Sequence, residues 1–385
     1  MFYLIYQRDI DMKNTIVILL PVLSCSGLEL FGLRFAQELI KRGYEPVVAV
    51  PKDSALDKQC KDRNLKTFYV SAVHKYSLKS FKDCIDILKK IEPSKIVIFR
   101  SQMIYPVHFA RIITSIHAEI YMFYRIGVGN SVRKDPLHRF LFKQVKAIIP
   151  NAGYVADKMK RLWGVDKDKV VCIKSGVDVN KYCPSTKTRD KFRADFGFSN
   201  DDFIIGASGR IEPVKGSENL IRALFDGSDS PGHIKENVHL VFVGKESKIG
   251  YIDYLKQLSA ELNASNKVHF LPFRNDIENY YPGLDLFAFA VNCNECYAYT
   301  VLEAMTCGIP VLVPNSGGLI EMFTDGVEGR FFEHKNIDSL RERFAQIIAM
   351  PAHDLKKMGD SAREHVLKTS DWNKMIEKYF SIMSL

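Results

Sequence analysis

The feature that most constrains this chain is a series of short runs that are apolar at consecutive positions, not at alternate ones. "TIVILLPV" (15–22), "EPVVAV" (45–50), "KIVIF" (95–99), "AEIYMFY" (118–124), "AIIP" (147–150) and "VVCI" (170–173) follow one another with amphipathic helical stretches between them. A strand apolar on both sides must be covered on both faces, which is the condition of a parallel sheet with helices packed above and below. Gly27 opens a turn after the first run, and Gly43 closes the helix that follows it as a C′ glycine. The series then restarts after a polar segment containing Pro184. "FIIGASGR" (203–210), "VHLVFVG" (238–244), "VHFLPF" (268–273), "LDLFAFA" (284–290) and "IPVLVP" (309–314) supply a second set. The reading is α/β, with two doubly wound Rossmann-like domains, 1–184 and 185–370. The halves share architecture and not sequence. Ligands of such sheets sit beyond the carboxyl ends of the strands, and two facing sheets would make a cleft between them.

With 385 residues, two domains fit the usual domain size. No uninterrupted apolar run approaches the ~20 residues that cross a bilayer. The opening "MFYLIYQRDIDMKNTIVILLPV" suits a signal peptide poorly, and Met12 before Lys13 is a second candidate start, which would make residues 1–11 an appendage. Eight cysteines are scattered, some inside apolar runs, which suits a reducing compartment and gives a cytoplasmic expectation. Cys293 and Cys296 have CxxC spacing but no second pair or His motif to complete a zinc site. The net charge of +9 is concentrated, for residues 133–169 hold ten Lys/Arg against four Asp/Glu. That stretch is either a solvated face above core residues or a surface meeting anionic lipid or a phosphorylated acceptor. Its Phe140, Leu141 and Phe142 either insert into such a surface or face the core. No nucleic-acid-binding motif accompanies the charge.

The densest chemistry lies in "ECYAYTVLEAMTCGIPVLVP" (295–314). A helix from about Ala298 must stop by Gly308, with Pro310 enforcing the stop. Its first N–H groups lack intrahelical partners and carry the positive end of the dipole, so the backbone there is an anion site. Glu295 lies just outside this helix start and Glu303 lies one turn inside. Glu303 sits among Val301, Leu302, Ala304 and Met305, where a carboxylate without a partner is costly. A phosphate flanked by two groups of hydroxyls describes a nucleotide sugar. In "GASGRIEPVKGSENL", Gly209 and Arg210 end a strand and Lys215 follows across the Pro213 turn. Two cations on one loop at a strand's carboxyl end suit a diphosphate leaving group.

These segments together resemble retaining glycosyltransferases of family 4, the group 1 glycosyltransferases, whose fold is GT-B. "IKSGVDVNKY" resembles the family's I-P-N-G-V-D-x-x-x-F segment, and "SGRIEPVKG" its G-R-x-x-x-x-K-G phosphate loop. "ECYAYTVLEAMTCGIPVLVP" resembles E-G-F-G-x-x-x-x-E-A-M-A-x-G-x-P-V, and "NSGGLIEMFTDGVEGRFFE" the G-G-x-x-E and D-G-x-x-G stretch that follows. The resemblance implies that Arg210 and Lys215 hold the donor diphosphate, that Glu303 binds the ribose hydroxyls, and that Glu295 contacts the donor sugar. It implies phosphate and sugar contacts from the amides of Ala298, Tyr299 and Thr300. Gly27 in "SCSGLELFG" matches the second glycine of the family's G-G-x-E turn, with Ser26 in place of the first. The last helix, about 371–385, is expected to pack back on the first domain.

Three departures stand out. Cys296 and Ala298 replace the glycines of E-G-F-G. Where the family often has a His before Gly near residue 125, this chain reads "FYRIGVGNSV", so Arg125 is the nearest polar residue. His108 is the other candidate for the acceptor or donor-sugar side. The expected activity is transfer of a sugar from a nucleotide diphosphate sugar to a hydroxyl acceptor: a lipid-linked saccharide, lipopolysaccharide core or polysaccharide precursor. No cofactor and no metal is expected, because no Asp-x-Asp signature ends a strand. Alternatives are a catalytically impaired nucleotide-sugar-binding subunit and a sugar-nucleotide epimerase. A dinucleotide oxidoreductase fits worse, since "GVGNSV" lacks the third glycine.

Overall fold

The computed structural model describes residues 15–385 apart from 24, 73–76, 228 and 229; the proposed appendage 1–11 lies outside the described residues. The first sheet contains β1 (Thr15–Leu19), β2 (Glu45–Val50), β3 (Thr67–Tyr69), β4 (Lys95–Ile98), β5 (Glu119–Tyr124) and β6 (Val145–Pro150). The second contains β7 (Phe203–Ser208), β8 (Val238–Val243), β9 (Val268–Leu271), β10 (Leu286–Ala288), β11 (Val311–Pro314) and β12 (Gly329–Phe332). The orders are β3-β2-β1-β4-β5-β6 and β12-β11-β10-β7-β8-β9. Read from its other edge, the second sheet repeats the first: both have the doubly wound order 3-2-1-4-5-6. Every strand pair is parallel, as the unbroken apolar runs require.

The chain divides into two compact units, one ending at Ile173 and taking back Ile376–Leu385, the other running from Lys174 to Met375. The division falls ahead of the Pro184 segment. Within the first unit, Ile16, Val17 and Ile18 are fully buried. The helix Gly27–Lys41 lays Phe31 and Phe35 against Phe99, Phe123 and Tyr379, with Tyr379 edge-on to Phe123 at 4.6 Å. Tyr379 comes from the final helix, Trp372–Met383, so that helix is part of this unit's core. In the second unit, Asp285 accepts from Arg189 at 2.8 Å, from Arg193 at 2.6 Å and from the Ile204 N–H at 2.7 Å. This network fastens the helix Thr186–Phe196 to the start of β7 and the segment entering β10. Arg193 is almost fully buried, so its charge is tolerated only because it is paired.

One expectation changes, and one open choice is decided. Residues 170–173 do not form a strand: Val170 makes an isolated bridge to Ile148, and the N–H groups of Val171 and Ile173 reach Ile148 and Pro150 oxygens at 3.0 Å. One edge strand of each sheet, β3 and β12, has only three or four residues, too short for a periodic signal. In the helix Pro136–Lys143, Leu141 and Phe142 face the core, and Phe142 stacks on Trp163 at 5.3 Å. Leu137 and Phe140 alone of its apolar residues are half exposed.

Candidate active site

The phosphate-loop sequence leaves β7 at Ser208 and turns at Gly209, whose φ of +125° lies outside the range of L side chains. The chain then forms the short turn Pro213–Lys215 and enters the helix Ser217–Phe225 through Gly216. Gly216 combines φ of +75° with a close approach: a Cβ there would lie 1.7 Å from the Ala290 oxygen. The segment leaving β10 therefore passes directly under the loop. Two bonds hold this crossing, from Asn292 N–H to Val214 O at 2.8 Å and from Asn292 Nδ2 to Pro213 O at 3.2 Å.

That crossing delivers Lys215 to Glu295. Lys215 Nζ donates to Glu295 Oε2 at 2.7 Å, above the Phe289 ring. Both partners are partly buried. The Glu295 oxygen of the main chain accepts from Gly318 N–H at 2.9 Å, which fixes the backbone beneath its carboxylate. Arg210 is more exposed, and its Nη1 meets Glu212 Oε2 at 3.3 Å. So the two expected diphosphate cations sit on one loop, each beside a carboxylate.

The helix of the glutamate motif runs Tyr299–Thr306, eight residues or roughly 12 Å. Its cap residue is Ala298, which has no side chain to accept from the first N–H groups. The positive end of the helix dipole therefore lies at Tyr299 and Thr300, the positions expected to meet an anion. Glu303, one turn in, is partly buried, and Tyr281 O–H donates to its Oε2 at 2.7 Å. Tyr281 in turn lies 2.9 Å from Ser208 Oγ. Sequence reading had no signal for Tyr281, because its role depends on a contact with residues 22 and 73 positions away.

The candidates in the first unit sit differently from expectation. Gly27 does not make a turn; it is the first residue of the helix Gly27–Lys41. Ser26 caps that helix, its N–H reaching Glu29 Oε2 at 3.0 Å. Glu29 has no solvent exposure and pairs with Arg100 at 3.3 Å, a buried carboxylate in the G-G-x-E match that the sequence reading passed over. Arg125 is buried instead of lining an open site. Its guanidinium lies 3.9 Å over Phe31, and Nη1 donates to Tyr379 OH at 3.1 Å, so it fastens the final helix. His108 is 5% exposed on the helix Ile104–Thr114 between Phe109 and Phe140, and neither ring nitrogen has a hydrogen-bond partner. Burial, then the nearby Arg111, push its pKa down. Among the described residues no group of three His, Cys, Asp or Glu side chains could hold a metal ion, and the eight cysteines are all free thiols.

Two Rossmann-like domains, each built on a parallel sheet, with a loop carrying two cations, a helix start and two glutamates in the second, define a two-domain α/β protein. Comparison with known proteins makes this specific. Residues 188–365 match the family model "Glycosyl transferases group 1", and residues 26–181 match "Glycosyltransferase Family 4". The chain belongs to the group 1 glycosyltransferases, and its fold is GT-B. It is 30% identical over 205 residues to a D-inositol 3-phosphate glycosyltransferase of Mycolicibacterium smegmatis, covering 52% of this chain and 45% of that protein. The chain thus spans about half the length of the curated relatives it matches. Among solved structures, a glycosyltransferase from Rickettsia africae superposes with a TM-score of 0.83 at 20% identity, over 96% of this chain and 99% of that one. HepE of Anabaena, solved with UDP-glucose, gives 0.77 at 20% identity over 96% and 100%.

Proposed function

We propose that this protein is a retaining glycosyltransferase that moves a sugar from a nucleotide diphosphate sugar to a hydroxyl acceptor. The observation that carries the reading is the meeting, at one end of the second sheet, of Lys215, Glu295, the start of helix Tyr299–Thr306 and Glu303. In this reading the diphosphate lies against Arg210, Lys215 and the Tyr299 and Thr300 amides. Charge grows on the diphosphate as the sugar departs, and fixed donors and cations stabilise that charge most where water is displaced. Lys215 then exchanges a carboxylate partner for a phosphate, so its Glu295 partner is released toward the sugar. Glu303 accepts from the ribose hydroxyls. No metal enters this scheme; the two cations and the helix start fill that role, and activity is expected to persist in excess EDTA.

The acceptor in this proposal is a lipid-linked saccharide, lipopolysaccharide core or polysaccharide precursor, used on the cytoplasmic face of an anionic membrane. Two features of the first unit support that location. The helix Ile104–Thr114 buries Val107 and Ala110 inward yet also exposes Phe109, Ile112 and Ile113, at 37, 58 and 63%. Around it, residues 100–146 carry eight Lys/Arg, of which Arg125 is buried, against two Asp/Glu. The apolar contact therefore belongs to this helix and Phe140, with charge from the 133–169 stretch. Among the described residues no helix is long and apolar enough to cross a membrane.

The test is a panel of nucleotide sugars offered with a lipid-linked acceptor extract, read by mass spectrometry of products. Release of nucleoside diphosphate with a glycosylated product of retained configuration is expected. Nucleotide-sugar binding with no transfer to any acceptor would favour the impaired binding subunit instead.

A further inference from the structure

Glu303 accepts from a hydrogen-bonded chain. Tyr281 O–H donates to Glu303 Oε2 at 2.7 Å, and Ser208 Oγ lies 2.9 Å from the same phenol oxygen. A phenol has one proton, so with that proton on Glu303 the Ser208 hydroxyl is the donor to Tyr281. The chain has a single direction: Ser208 to Tyr281 to Glu303. Ser208 is the last residue of β7, directly before Gly209 and Arg210. Tyr281 opens the short turn Tyr281–Gly283, and Glu303 lies one turn inside the glutamate helix. Three elements far apart in sequence are joined here.

Packing alone does not call for this hydroxyl. The Tyr281 ring is fully buried against Phe287 and Tyr280, and a phenylalanine ring would fill the same space. The neighbouring Tyr280 spends its hydroxyl on a backbone oxygen, Val241 O at 2.8 Å, which is the ordinary structural use. Tyr281 spends its own on a carboxylate at the edge of the donor site. An ionised carboxylate accepts about four bonds, so one from Tyr281 fixes its plane without exhausting it. Burial first, and then the Glu303 charge, hold the phenol well above its usual ionisation, so it remains a donor throughout the neutral range.

Resting on the donor-site reading above, we infer that Tyr281 is a positioning residue that aims the Glu303 carboxylate at the ribose hydroxyls and ties it, through Ser208, to the phosphate loop. The structure thereby assigns discrimination between ribose and deoxyribose to a residue that touches neither. A freely turning carboxylate would accept from hydroxyls or water alike; an oriented one favours a ligand carrying both hydroxyls.

Calorimetric titration of the full chain with UDP, GDP and ADP identifies the tightest nucleoside diphosphate, which is then compared with its 2′,3′-dideoxy form. Tyr281→Phe should weaken the ribonucleotide about tenfold, the usual scale for a bond to a charged group, and leave the dideoxy form nearly unchanged. In a Glu303→Gln background the same substitution should cost nothing further, because its effect passes through that carboxylate. Ser208→Ala, at a partly exposed position, should give a smaller loss in the same direction, and thermal melts check that each variant is folded. Wild-type affinity in Tyr281→Phe, equal losses for both nucleotides, or additive losses in the double variant would overturn the relay while sparing the donor site. No binding of any of the three diphosphates by the wild type would overturn the donor-site reading and the relay with it.

Discussion

Lys215 illustrates how one side chain can have two partners in turn. Its ammonium is 2.7 Å from Glu295, and in the proposed reaction a phosphate oxygen takes that carboxylate's place. Lys215→Ala removes a cation from the departing diphosphate and leaves Glu295 unpaired. Loss of one such transition-state contact costs about 3 kcal/mol, or roughly a hundredfold in kcat. Arg210→Ala should follow in the same direction. Steady-state kinetics with saturating donor decides this, and wild-type turnover in both variants would remove the phosphate assignment. The two glutamates should part in the same assay. Glu303→Gln is expected to raise the donor KM more than it lowers kcat, since ribose contacts are shared by ground and transition states. Glu295→Gln should lower kcat chiefly. Both glutamates and both cations were legible in the sequence because their spacing on one loop and one helix is local. Tyr281 was not, since nothing near position 281 shows what lies across from it.

At the scale of elements, the helix Ile104–Thr114 breaks the usual rule of one apolar face. Its outward Phe109, Ile112 and Ile113 stand at i, i+3 and i+4, the spacing a core face would have. Burying an aliphatic side chain contributes about 1.5–3 kcal/mol, so two isoleucines entering a bilayer contribute enough to decide binding. Ile112→Asp with Ile113→Asp should therefore reduce co-sedimentation with anionic vesicles by about a hundredfold while the melting temperature holds. Charge adds a salt-sensitive share, because screening shortens to about 3 Å at 1 M ionic strength. Equal sedimentation of this double variant and the wild type would move the contact elsewhere. The sequence alone leaves Phe140, Leu141 and Phe142 open between this face and the core, and it gives no sign of Ile112 and Ile113. A basic stretch is visible along the chain, but the helix side that a neighbour such as Trp163 covers is not.

The whole molecule adds two expectations. Tyr379 is fully buried among Phe31, Phe35 and Phe123 and accepts from Arg125, so the last ten residues complete the first unit's core. Tyr379→Ala should destabilise the protein by about 3–5 kcal/mol, the range for losing a buried large aromatic. Denaturant unfolding measures it, and a loss below 1 kcal/mol would show that the helix is an appendage. The second expectation concerns acid. Burial, then the neighbouring His239, hold His269 down to about 4, and burial also lowers His239, which lies 3.2 Å from it. In the unfolded chain both take up a proton near pH 6.5. Between these limits the unfolded state binds more protons, so stability is full above about pH 6.5 and falls as pH drops toward 4. His269→Phe, which also spans the contact with Phe198, should flatten that slope in melts taken across the window.

By itself the sequence determined the two parallel sheets, the doubly wound winding and the loop and helix that carry Arg210, Lys215, Glu295 and Glu303. Those follow from local physics: a strand apolar on both sides must be covered on both, and a glycine or proline ends a helix wherever it stands. Tertiary structure alone decided the edges β3 and β12, the inward turn of Leu141 and Phe142, and the use of Arg125 to fasten Tyr379. It alone brought Ser208, Tyr281 and Glu303 into one chain. Apolar periodicity reports that a residue is covered but carries no record of which distant residue covers it, and that partner exists only once the chain has closed.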